Sequence, residues 1–116
     1  MTLVDTSVWI EHFRRGNARL KQLLLNNEVM VHPFVIGELA CGTLKNRHEI
    51  LGLLGELPSV DLAEHQEVLR LIEDRRLYGK GIGLIDAHLL ASALITKVPL
   101  LTMDKALGRV AESLRI

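Results

Sequence analysis

The chain has 116 residues, with 14 basic and 14 acidic side chains, 48% hydrophobic and 3% aromatic residues, which suits a single α/β domain over residues 1–116 with an aliphatic core. One cysteine, Cys41, excludes an internal disulfide framework and a cysteine-rich zinc site, and a net charge of zero argues against a surface that grips nucleic acid all over while leaving room for a local basic rim. No basic-then-apolar leader opens the chain and no apolar run approaches the about 18 residues of a membrane span, so a soluble, cytoplasmic protein without membrane contact is expected.

Thr2 to Val4 form a short apolar strand ending at Asp5, Thr6 and Ser7, which are suitable caps for a helix over Val8–Phe13. Gly16 and Asn17 punctuate the chain, and Leu20, Leu23 and Leu24 give Ala18–Asn26 helical spacing. Val29–Val31 is a second strand. Pro33 then sits in the first turn of a helix that turns Val35, Ile36, Leu39 and Ala40 inward and stops near Gly42. A helix over Arg47–Leu54 is broken by Gly55 and Pro58, and Ser59–Val60 supplies a very short third strand.

Glu64–Leu77 is a longer amphipathic helix with Val68, Leu69, Leu71 and Ile72 on its buried side. Tyr78–Gly83 is loop by composition, and Asp86 opens a helix that is apolar almost all round except for the line His88, Ser92 and Thr96. Such a helix belongs at the centre of the molecule. Pro99–Thr102 is a fourth strand, and Asp104 starts a last helix that faces Ala106, Leu107, Val110, Ala111 and Leu114 inward. Short strands alternating with helices predict a three-layer α/β/α sandwich around a short central parallel sheet.

Four acids fall at telling places on this map. Asp5 ends the first strand and Asp104 follows the fourth, the edge of a parallel sheet where ligands bind. Asp86 stands at the mouth of the buried helix, and Glu38 lies in an apolar stretch behind the second strand. Each alone reads as a helix cap or a surface acid. Four acids meeting at one point repel one another, and Mg²⁺ or Mn²⁺ resolves that conflict with a chemistry suited to phosphodiester hydrolysis. A dehalogenase-type phosphatase needs a second acid where Ser7 stands, and a receiver domain needs adjacent acids where position 4 is valine.

The run Val4-Asp5-Thr6-Ser7-Val8-Trp9-Ile10, the Glu38 region, Asp86-Ala87-His88-Leu89-Leu90-Ala91 and Leu100-Leu101-Thr102-Met103-Asp104 together resemble the PIN-domain nucleases, in particular the VapC toxins of type II toxin–antitoxin pairs. The resemblance covers essentially the whole chain. It implies that Asp5, Glu38, Asp86 and Asp104 are the catalytic acids that hold Mg²⁺ or Mn²⁺ and activate water, with Thr6 and Thr102 orienting them. It also implies endonucleolytic cleavage of RNA, a homodimer and a cognate antitoxin protein. The aromatic residue that often follows the last acid in this family is absent here, and a fifth edge strand would be confined to Leu114–Ile116. The alternative is a catalytically inactive PIN-like module that binds RNA or a protein.

Basic residues gather at Arg14-Arg15 with Arg19 and Lys21, at Lys45-Arg47-His48, and at Arg75-Arg76 with Lys80. The group Arg75, Arg76 and Lys80 leads into the loop before Asp86 and is the best candidate for phosphate contacts. His12 is expected to face solvent and Trp9 to pack. His88, two residues past Asp86, is expected to point to another side of its helix.

Overall fold

A computed structural model describes residues 1–116. Three strands, β1 (Thr2–Val4), β2 (Val29–Met30) and β3 (Leu100–Leu101), form a parallel sheet in the order β2-β1-β3. Leu3 pairs with Met30 on one side and with Leu100 on the other, so the first strand is the central one. Seven helices surround the sheet: α1 (Thr6–Arg15), α2 (Ala18–Leu25), α3 (Pro33–Cys41), α4 (Arg47–Glu56), α5 (His65–Asp74), α6 (Leu84–Thr96) and α7 (Lys105–Ser113).

The expected α/β architecture holds, and its core is aliphatic. Leu3, Val4, Val8, Leu20, Val35, Leu89, Leu90 and Leu107 are wholly enclosed. Every residue of α6 from Ala87 to Ala93 is buried, as its apolar composition requires. Trp9 is buried and stacks on Phe13 with ring centroids 5.8 Å apart. No helix is long and apolar enough to cross a membrane.

Several boundaries differ from the sequence expectation. The third strand, Ser59–Val60, is a single parallel bridge between Ser59 and Val31, because Pro58 has no N–H to extend the ladder. The first helix begins at Thr6, not Val8, and α4 runs through Gly55 to Glu56. Helix α5 stops at Asp74, where Arg76 turns left-handed with φ 54°, and Leu69 lies on its exposed side. Helix α6 starts at Leu84, so Asp86 is its third residue rather than its first. No edge strand forms at Leu114–Ile116. There Arg115 adopts φ 62° and the Ile116 N–H returns to the Ala111 carbonyl, closing α7.

Candidate active site

The site is assembled at the carboxyl end of the sheet. The Asp5 N–H donates to the Leu101 carbonyl at 2.9 Å, which locks the end of β1 to the end of β3. Asp5 stands where a helix cap stands, yet its side chain makes no capping bond. Its Oδ2 instead accepts from Ser7 Oγ and from Thr102 Oγ1, each at 2.7 Å. Asp5 is only 6% exposed, so these two hydroxyls supply the hydrogen bonds a buried carboxylate needs. Ser7 Oγ and Thr102 Oγ1 also accept the N–H groups of Met103 and Asp104, both at 3.0 Å, which fixes the turn after β3.

The other three acids are held in the same economical way. Glu38 Oε1 accepts from Thr6 Oγ1 at 2.6 Å, across the contact of α1 with α3. Asp86 Oδ2 accepts from the Gly83 N–H at 3.1 Å in the first turn of α6. Asp104 Oδ1 caps α7 by accepting from the Leu107 N–H at 2.9 Å. In each carboxylate one oxygen is tethered and the other, Oδ1 of Asp5 and Asp86, Oδ2 of Asp104 and Oε2 of Glu38, has no hydrogen-bond partner. The molecule's one ion pair, Arg15 with Glu11 at 3.3 Å, involves none of them.

The Asp86 carboxyl feels the other three acids. Burial raises the Asp86 carboxyl above its ordinary range, the Gly83 N–H opposes that, and the charges of Asp5, Asp104 and Glu38 each raise it further. No three carboxylate, histidine or cysteine side chains form a ready-made ion cage. The donor set nevertheless fits a small hard cation, which keeps several waters and takes only one or two carboxylates directly. Untethered oxygens, unbalanced negative charge and no soft ligand suit Mg²⁺ or Mn²⁺ and not zinc.

Sequence reasoning brought Asp5, Glu38, Asp86, Asp104, Thr6 and Thr102 together but used Ser7 only as a cap. The available signal was its spacing: a hydroxyl two residues past Asp5, in the first turn of α1, lies within reach of that acid. The exposed residues Arg75, Arg76 and Lys80 are not among the groups that bond these acids. His12 is half-buried rather than free in solvent, with its Nδ1 accepting the Asn17 N–H at 3.1 Å.

Where α3, α5 and α6 meet lies an imidazole cluster that the sequence did not foretell. His88 packs on Phe34, with ring centroids 4.9 Å apart, while His32 lies 5.0 Å from Phe34 and His65 6.3 Å from His88. His32 is buried and its Nδ1 accepts the Phe34 N–H at 3.0 Å, which leaves the proton on Nε2, an atom that is enclosed without a partner. Burial, with help from the charge of His88, lowers the His32 pKa from 6.5 to about 4. Burial also lowers that of His88, with His65 adding to the effect.

Comparison with known proteins bears on the family and the fold. The family model described as the PIN domain matches residues 2–113. A protein named Ribonuclease VapC32, from two strains of Mycobacterium tuberculosis (CDC 1551 / Oshkosh and H37Rv), is 52% identical over 108 residues, covering 92% of this chain and 87% of the relative. Among solved structures, the crystal structure of FitAcB from Neisseria gonorrhoeae superposes with a TM-score of 0.67 at 22% identity, covering 97% of this chain and 94% of that one.

Proposed function

Because this chain belongs to the PIN-domain family, we propose that it is a VapC-type endoribonuclease, the toxin of a toxin–antitoxin pair, and that residues 1–116 act as one catalytic domain. The observation that carries the reading is the set of four carboxylates, each tethered through one oxygen and each with the other oxygen unpartnered. Asp5, Asp86, Asp104 and Glu38 would hold Mg²⁺ or Mn²⁺. When bound, that ion supplies a Lewis acid for the phosphate and lowers the pKa of the attacking water.

The chain's own residues do the positioning. Thr102 and Ser7 fix the Asp5 carboxylate, so its free Oδ1 is presented in one orientation, and Thr6 does the same for Glu38. The exposed Arg75, Arg76 and Lys80 hold the RNA backbone on the approach to α6, giving affinity without sequence discrimination. A cognate antitoxin protein silences the enzyme, which works in the cytoplasm as a homodimer.

The test is cleavage of RNA by the purified protein with and without Mn²⁺. Cleavage should require the ion and should fall by about a hundredfold or more in Asp5→Asn and Asp86→Asn. Undiminished cleavage by both variants would sink the assignment. The inactive-module alternative makes the opposite prediction: calorimetry would detect no Mn²⁺ binding to the wild-type protein.

A further inference from the structure

Between α5 and α6 the chain turns through Gly79 and Gly81, with φ of +69° and +81°. A Cβ at Gly81 would stand 3.3 Å from the Cβ of Ala106, so this loop lies hard against the first turns of α7. The close approach puts two cations on one cleft. Lys80 from the loop and Arg109 from the helix line a cavity of about 280 Å³ together with Ala106, Val110 and Ser113. Neither cation is ion-paired, since the molecule's one salt bridge joins Arg15 and Glu11. The Ser113 hydroxyl is committed to the Val110 carbonyl at 2.6 Å.

Two exposed cations lining one cleft make it attractive to an anion. The same two segments lead directly to the acids. Gly83, three residues past Lys80, donates to Asp86, and Arg109 stands about 7.5 Å along α7 from Asp104 by helical rise. The cleft and two of the acids, Asp86 and Asp104, thus belong to the same two segments of the chain. The lining has no aromatic side chain on which a base would stack. What fits is a phosphodiester.

We propose that the Lys80–Arg109 cleft binds a backbone phosphate of the RNA. The site rests on the ribonuclease reading and adds Arg109 to it, a residue that no motif singles out. Lys80 acts here with Arg109; Arg75 and Arg76 do not line the cleft.

Salt dependence tests it. The kcat/KM for a single-stranded RNA oligonucleotide in Mn²⁺ is measured between about 50 and 200 mM salt for the wild type and the Lys80→Ala/Arg109→Ala double variant. The double variant should raise KM with kcat little changed. Its log–log salt slope should be shallower by about 0.7, the value for one phosphate on a single strand. The loss should not depend on base sequence. The charge-preserving Lys80→Arg/Arg109→Lys variant should restore the slope, and Lys97→Ala, at the opposite end of α6 from Asp86, should leave it unchanged. An unaltered slope and KM in the double variant would overturn the cleft while leaving the ribonuclease standing. A wild-type protein that cleaves no RNA would overturn both.

Discussion

Asp5 Oδ2 takes two hydroxyl hydrogen bonds from residues far apart in the chain, Ser7 and Thr102, the latter 97 positions away. Both donors hold the carboxylate rather than react, and groups of this kind beside a metal ligand typically contribute 10–100-fold to affinity or activity. Thr102→Val keeps the shape of the side chain, removes the hydroxyl and also frees the Asp104 N–H. It should weaken Mn²⁺ binding by about tenfold or more, as read by calorimetry, and lower cleavage in parallel. Unchanged binding would show that Ser7 alone suffices to orient Asp5. Asp5, Asp86 and Asp104 were singled out in the sequence because strand ends and helix starts could be located from Val4, Leu101 and the apolar run of α6, whereas Glu38 rested mainly on the family resemblance. Which oxygen of each acid is tied and which is free was not legible there, since that depends on hydroxyls brought in from other elements.

At the scale of elements, α3 shows how one residue serves as cap and as buried base. His32 caps the helix through Nδ1, a bond that needs the neutral ring. With the pKa lowered from 6.5 to about 4, the unfolded chain takes up a proton over this window and the native state does not. Stability therefore rises with pH across the window and is lost as pH falls from 6.5 toward 4, by about 3 kcal/mol in all. His32→Asn keeps an acceptor for the Phe34 N–H and does not titrate. Urea unfolding from pH 7 to 4 should show a flatter loss of stability in this variant, and an identical loss would refute the assignment. Helix α6 was legible because its composition is apolar on nearly every side. The third strand shrank to one bridge because Pro58, read in the sequence only as a helix breaker, also lacks the N–H that would extend the ladder. Leu69 was misread because the stripe Val68, Leu69, Leu71 and Ile72 is wider than the face that α5 turns toward α6. The imidazole cluster was invisible because His32, His65 and His88 come from three separate segments.

For the molecule as a whole, the acidic centre is a source of instability. Asp86 is pushed toward its protonated form by burial and by three other carboxylates, and no lysine or arginine is paired with any of them. A ligand that binds only the folded state stabilises it, by about 2.7 kcal/mol at a hundredfold excess over Kd. For a domain of this size, saturating Mn²⁺ should raise Tm by on the order of 10 °C. Asp86→Asn should raise Tm in the absence of the ion and shrink the response to it. A metal response as large in Asp86→Asn as in the wild type would place the ion elsewhere.

The register of the sheet also has a consequence for synthesis. β1 is central and is made early, yet Leu3 completes its pairing only with Leu100, and Asp5 only with Thr102. At about 5–20 residues per second, Asp5 waits roughly 5–20 s on the ribosome for the partner that orients it. A nascent chain stalled before Thr102 carries three of the four acids and still has no assembled centre. The centre thus stays unassembled until Thr102 has been made, and a chain cut short before it lacks both Asp104 and the hydroxyl that orients Asp5.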